Sequence, residues 1–400
     1  MTQRSFRVLW WAAILLSLVV FFLVLIPVKL SIGQELQQQN SVFTKPSFFP
    51  LAVWLQQPKH AQAYQELGIN LYVGLWKGPT STQLLTLKQA DMPVICHQNP
   101  TGLTDANRDV IIGWMQRDEP DNKQRRKNGW GYDPVVAPSE VSSQFREIHR
   151  NDPTRPVLLN LGQGVAWDHW KGRGNRTNHP EDYPEYIKGG DIISFDIYPV
   201  THKSRQIQGR LEYVAKGVER LKSLVTPEQR VWNVIGVSRI NNPYIKPTSQ
   251  QVRSQVWMSI IHGSQGIIYF VHQFKPNFIA AALLHDAQMQ KEIKLLNRQI
   301  TALAPVLNSS DTDDIQKIDI ASLNKTVAAV SKRFECSLYL ISVSMQKGET
   351  AARFELRHPV SDQQVEVVGE GRTVSLQNGV LQDSFGPYEP HLYRLDICSR

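Results

Sequence analysis

Eight short runs of apolar, β-branched and aromatic residues recur through the middle of this chain, and that rhythm constrains its fold more than any other feature. They are PLAVWLQ (50–56), NLYVGLW (70–76), MPVICHQ (92–98), VIIGWMQRDEP (110–120), RPVLLNLG (155–162), DIISFDIYPV (191–200), VWNVIGVSRI (231–240) and GIIYFVHQF (266–274). Near-continuous apolar runs suit strands covered on both faces, as in a parallel sheet. Helical patterns with start signals lie between most of them. Thr80 or Ser81 precedes QLLTLKQA, Ser139 precedes EVSSQFREIHR, and Thr248 with Gln251 makes a capping box ahead of VRSQVWMSIIHG. DAQMQKEIKLLNRQITAL follows the eighth run, whereas the stretch at 101–109 is short for a full helix, so one unit is irregular. Eight strand–helix units over about 250 residues predict an α/β fold, a closed (β/α)8 TIM barrel. An open doubly wound sheet is the rival, but no Gly-rich phosphate-binding turn follows the first run.

The flanks read differently. MTQRSFR is basic, and Val8 to Val28 is a stretch of 21 residues with one serine and no charge. That length crosses a hydrocarbon core of ~30 Å at about 1.5 Å per residue. No A-x-A pattern follows it, so residues 1–30 are expected to be an uncleaved signal anchor, a transmembrane helix with Arg4 and Arg7 held in the cytoplasm. Cleavage is the alternative. Either way the bulk of the chain is expected outside the cytoplasm or in a periplasm, tethered by the Gln-rich linker 31–47, with the barrel over 48–307. After Asn308 the pattern switches to period two, as in CSLYLISVSMQ and TAARFELRH, which predicts a compact all-β, sandwich-like domain over 308–400.

Composition narrows the functional classes. The chain is 42% hydrophobic with ten tryptophans, as expected of a well-packed globular body. Its net charge of +8 is spread out, and KQRRK at 123–127 is the one basic block, so nucleic acid is not expected as a partner. Of three cysteines, Cys336 and Cys398 lie in the last segment, where export would permit a disulfide; Cys96 sits in an apolar run and reads as a buried free thiol. There is no C-x-x-C or H-E-x-x-H, so no metal or cofactor is expected. A metal site would need His97, His272 and Asp196 to converge. Composition leaves oligomeric state open.

Chemistry concentrates where the fourth run ends, in GWMQRDEPDN (113–122). Asp118, Glu119 and Asp121 repel one another there, and Pro120 stops the strand. Barrel enzymes keep their chemistry at the carboxyl ends of strands, and neighbouring negative charge raises a carboxyl pKa, as a general acid requires. Glu119 is therefore the candidate acid; the alternative is a plain loop in which Asp118 caps a turn and Glu119 pairs with Arg117. In the sixth run Ser194, Asp196 and Tyr198 alternate with Ile193, Phe195 and Ile197, so Asp196 and Tyr198 should point inward, towards Glu119. Asp196 could equally be a buried carboxylate satisfied by an arginine or a backbone amide. Asn160, His97, Gln98 and His272 end other strands and suit hydroxyl binding, while Asp118 and Asp121 would tune Glu119 or bind hydroxyls. Trp54, Trp76, Trp114, Trp167, Trp170 and Tyr198 offer flat faces to sugar C–H groups, although about half of such tryptophans belong to cores.

An apolar strand ending in Asp-Glu-Pro at the fourth barrel position, with a trailing β-domain, resembles the (β/α)8 glycoside hydrolases of clan A. The resemblance implies hydrolysis of an oligo- or polysaccharide, with Glu119 in the place of the acid/base and Asp118 where that clan has Asn. The clan's nucleophile, a glutamate ending the seventh strand, has no counterpart: Gly236, Val237 and Ser238 stand there. Three outcomes follow from that departure. Asp196 or another carboxylate serves as base or displaced nucleophile, a substrate N-acetyl group attacks, or the protein binds sugar without cleaving it. A separate alternative is a scaffold that organises an envelope complex through its β-domain, with neither activity nor glycan binding.

Overall fold

A computed structural model describes residues 42–126, 128–320, 327–357 and 360–398. The chain divides into two compact units, Met1–Lys45 and Pro46–Arg400. Of the first, only the end is described, including a 3-10 turn at Val42–Thr44; the expected anchor and most of the tether lie outside the described residues. Among the described residues no helix is long and apolar enough to cross a membrane.

The second unit begins with eight parallel strands: β1 Leu51–Trp54, β2 Leu71–Val73, β3 Val94–His97, β4 Ile111–Met115, β5 Val157–Leu161, β6 Ile192–Asp196, β7 Arg230–Gly236 and β8 Ile267–Phe270. They close in the order β1-β8-β7-β6-β5-β4-β3-β2, a barrel with no free edge. Helices α1 Ala61–Glu66, α2 Ser81–Gln89, α3 Pro100–Thr104, α4 Pro138–Asn151, α5 Glu212–Leu224, α6 Ser249–Ile261 and α7 Ala287–Ala302 follow the strands. Two of the three predicted polar starts are formed: Thr80 with Gln83, and Thr248 with Gln251, make reciprocal capping boxes. Helix α4 differs. Ala137 occupies its cap and Pro138 its first turn, where a missing N–H costs nothing, so Ser139 is inside the helix. The irregular unit is the third, where α3 is little more than one turn, capped by Asn99.

Alternation along β6 assigns its faces. Ile193, Phe195 and Ile197 join the buried cluster shared with the helices, leaving Ser194, Asp196 and Tyr198 for the barrel interior and mouth.

The chain then forms β9 Asp311–Thr312, β10 Ile315–Ile320, β11 Val327–Phe334, β12 Ser337–Ser344, β13 Thr350–Leu356, β14 Gln363–Val367, β15 Arg372–Gln377, β16 Val380–Phe385 and β17 Pro390–Asp396. These make one antiparallel sheet in the order β9-β11-β12-β17-β14-β15-β16-β13-β10. Phe354 on β13 and Tyr393 on β17 are four steps apart in that order, yet their rings lie 6.0 Å from one another. The sheet is therefore curled upon itself, and a continuous ribbon provides the sandwich-like core. Cys336 and Cys398 form a disulfide, and Cys96 is free and buried, its thiol pushed up to about 12 by loss of water.

Candidate active site

At the carboxyl end of β4 the backbone is bent into an uncommon shape. Glu119 has φ +43°, a left-handed conformation that a residue with a Cβ adopts at a cost of about 1 kcal/mol or more. Three hydrogen bonds hold it there. Its N–H donates to the Asn160 carbonyl at 3.0 Å, and its carbonyl accepts from the Asn122 N–H at 3.0 Å and from Gln124 Nε2 at 3.0 Å. The turn aims the Glu119 carboxyl toward β6, where it hydrogen-bonds the Asp196 carboxyl. Asn122 Nδ2 donates to Glu119 Oε2 at 2.8 Å, and Tyr198 donates to Asp196 Oδ2 at 3.0 Å.

Electrostatics follow from this crowding. Burial, then the charge of Asp196, then Asp118, holds the Glu119 carboxyl protonated well above the usual carboxyl range. Burial pushes Asp196 up to about 7, although hydrogen bonds from Glu119 and Tyr198 favour its ionised form. Asp118 rises to about 6, mainly through the atoms packed around it, although solvent still touches its side chain. Two coupled carboxyls separated in proton affinity make an acid and its partner: a protonated Glu119 beside an Asp196 that ionises near neutrality.

A polar relay supports the pair from inside the barrel. Ser194 Oγ donates to Asn160 Oδ1 at 2.8 Å, and Asn160 Nδ2 donates to Asp118 Oδ1 at 2.9 Å. Asp121 does other work. It is fully buried, its carboxylate accepting from the Gly162 N–H at 2.8 Å and from Tyr183 at 3.1 Å, so it ties the loop after β4 to the loop after β5.

The other candidates divide. Tyr198 starts an aromatic run: its ring lies 5.3 Å from Phe270, Phe270 lies 5.2 Å from His272, and His272 stacks on Phe274 and Phe278 at the rim. His272 itself is nearly buried and within hydrogen-bond distance of Gln56 and the Trp54 carbonyl. Trp54 is buried with it, whereas Trp76 is 68% exposed in the loop after β2. His97 is exposed at the end of β3, with Nδ1 against the Met115 carbonyl. Trp167 is half-buried, 5.4 Å from His202 and 6.4 Å from Trp170.

Three expectations are corrected. The β3–β4 ladder pairs Val94 with Ile111 and Ile95 with Gly113, skipping Ile112. This bulge exchanges the faces beyond it, and Trp114 turns out to the helices, fully buried and donating to Asp152 at 3.0 Å. Gln98 is held by the Ile148 carbonyl and by Asn151 at the end of α4. Asp121 has both oxygens occupied by protein, as above, so it is not a hydroxyl ligand, although its charge does help to raise the Glu119 carboxyl. The local pairing of Glu119 with Arg117 is also absent: Arg117 is exposed and makes no ion pair among the described residues. No group of three or more His, Cys, Asp or Glu side chains among the described residues could hold a metal ion, so His97, His272 and Asp196 do not converge as ligands.

Sequence reasoning passed over Asn122. Its Nδ2 serves Glu119 while its Oδ1 accepts from Trp170 Nε1 at 2.8 Å, fastening the acid to the long loop after β5. Gly162 permits this approach, since a Cβ there would sit 2.5 Å from Asn122 Nδ2. It also passed over most of the rim. Trp130 (98% exposed), Tyr132, Tyr244, Phe274 and Phe278 all lie in loops that follow barrel strands. Their one available signal was position after a strand end.

No family model matches the sequence, and no curated protein matches it. Solved structures do share the fold. AmyP in complex with maltose aligns with 88% of this chain and 97% of its own, at 10% identity and a TM-score of 0.52. The α-amylase of Geobacillus thermoleovorans complexed with acarbose aligns with 88% of this chain and 99% of its own, at 10% identity and a TM-score of 0.53. An Anoxybacillus α-amylase aligns with 89% and 99%, at 9% identity and a TM-score of 0.52. What this chain has in common with these glycoside hydrolases is therefore the architecture of a closed barrel followed by a β-domain.

Proposed function

We propose that the protein is a glycoside hydrolase in which Glu119 is the general acid and the 2-acetamido group of the substrate is the nucleophile. The observation that carries this reading is the hydrogen bond between Glu119 and Asp196. Two carboxyls that cleave a glycosidic bond between them stand ~5–5.5 Å apart for retention or ~6.5–9.5 Å for inversion. A hydrogen-bonded pair leaves no such gap, so Asp196 is the partner of the acid rather than its opposite number. No Asp or Glu lies between Arg230 and Asp286, so β7 supplies no nucleophile either. Glu119 gives its proton to the glycosidic oxygen as the C1–O bond breaks, and the acetamido oxygen bonds to C1 while ionised Asp196 accepts from the acetamido N–H. Water then opens the ring, returning a proton to Glu119 with net retention. The rim aromatics stack on neighbouring sugars, consistent with carbohydrate complexes of proteins that share the fold. The apolar N-terminal segment anchors this body to a membrane, facing away from the cytoplasm.

The test is release of new reducing ends from N-acetylated oligosaccharides. Glu119→Gln should lower turnover by about 10³-fold or more while the melting temperature holds, because an amide cannot give up a proton to the leaving oxygen. De-N-acetylated substrate should not be cleaved; equal turnover would sink the acetamido mechanism. A second reading, sugar binding without cleavage, draws on the same carboxylate-free β7, and predicts retention of these glycans with no product.

A further inference from the structure

The loops around the barrel mouth carry a charge imbalance that the proposed chemistry does not use. Lys77 after β2, Arg117 and Arg125 after β4, Lys171 after β5, Arg205 after β6 and Lys275 after β8 are all exposed, and none makes an ion pair among the described residues. The acids of the same loops are spent. Outside the Asp118–Glu119–Asp121 cluster, Asp133 pairs with Arg126, Asp168 with Arg220, Asp182 with Arg173 and Asp286 with Lys246. Glu181 sits against Arg176 and His179. A strip of uncompensated positive charge thus follows the mouth through five loops, interleaved with the exposed rings of Trp76, Trp130 and Phe274. Cations left free around a recess attract and orient a ligand of opposite sign.

We propose that the natural substrate is an anionic glycan, an N-acetylhexosamine polymer bearing carboxylate or sulfate groups, whose charges are read by this cationic rim while its rings stack on the aromatics between. The proposal rests on the glycosidase reading and specifies its substrate class. An anionic lipid surface would also be drawn to these side chains. Two features favour a polymer: the cations are distributed over the loops that follow five of the eight barrel strands rather than confined to one of them, and the relay from Tyr198 to Phe278 runs from the carboxyl site out to the rim.

The experiment compares binding and hydrolysis by the full chain in detergent across four probes. Hyaluronan carries carboxylates, chondroitin sulfate adds sulfates, chitohexaose is neutral but equally N-acetylated, and vesicles of phosphatidylglycerol present a lipid surface. At about 0.05 M salt at least one anionic glycan should bind about tenfold or more tightly than chitohexaose, and the gap should close at about 0.5 M. Tight binding of hyaluronan assigns carboxylate recognition, whereas tight binding of chondroitin sulfate alone assigns sulfate. The double variant Arg125→Gln/Lys275→Gln should weaken anionic binding about fivefold or more with an unchanged melting temperature. Chitohexaose bound as tightly as the anionic chains, or binding of the vesicles alone, overturns the proposal. Cleavage of chitohexaose without charge preference would remove this proposal and leave the glycosidase reading standing. Salt-sensitive binding of an anionic chain with no cleavage of any probe would remove the glycosidase reading and leave the rim as a polyanion site.

Discussion

A carboxyl donates a proton near neutral pH only when its surroundings make the ionised form expensive. Glu119 meets that condition through burial beside Asp196 and Asp118, and Asp196 is poised at about 7. Because cleavage needs Glu119 protonated and Asp196 ionised, kcat should rise toward an acid limb at about pH 7 and fall again as Glu119 loses its proton at higher pH. Asp196→Asn should erase the acid limb as well as lower kcat, and a pH profile that keeps the limb would count against the assignment. The same shift bears on stability. Asp196 has a folded pKa of about 7 against its usual 3.8, so the native state holds more protons than the unfolded chain between those values. Stability therefore falls as pH rises through that window and levels off above it. Asp196→Asn should be near neutral for folding at pH 4 and raise the melting temperature by about 2–4 °C at pH 8, measured by thermal unfolding. Asp118 contributes less, since water still reaches it.

At the scale of elements, β6 delivers Asp196 because its other face is clamped. Phe195 is fully buried against α5, where Gly217 makes room for it: a Cβ at that position would lie 2.1 Å from the Phe195 ring. Alanine normally strengthens a helix by about 1 kcal/mol over glycine, but overpacking costs about 1–3 kcal/mol. Gly217→Ala should therefore destabilise the fold and, by shifting Phe195, lower kcat; Gly348→Ala, where a Cβ meets nothing within 4 Å, is the control. Denaturant melts and steady-state rates on both variants decide this. Periodicity exposed such elements in the sequence because each strand or helix repeats its own local pattern. The inward face of β6 and the capping box of Thr248 with Gln251 were legible in that way. Trp114 was not, since one skipped residue in β4 inverts the faces without changing the apolar run. Nor was the link from Glu119 through Asn122 to Trp170, because its last step joins residues 48 apart in sequence and no local rule encodes it.

At the scale of the whole molecule, the β-domain is more than an appendage. Ile341 on β12 and Leu392 on β17 belong to the same buried cluster as the barrel helices, and Met258 of α6 packs with Val343 and Tyr388. Tyr388 also donates to Glu212 at the start of α5 at 3.0 Å. Removing this cover would leave part of α6 without apolar partners, so neither half retains its full core alone. The intact protein should therefore melt in one calorimetric transition. Ile341→Ala should cost about 2–5 kcal/mol and lower the temperature of that transition without splitting it, since the lost contacts are shared by both halves. Hydrolytic activity, measured at the barrel mouth far along the chain from Ile341, should disappear over the same temperature range. Two separated transitions, with activity following only the one assigned to the barrel, would show that the halves unfold independently and that the shared cluster does not couple them.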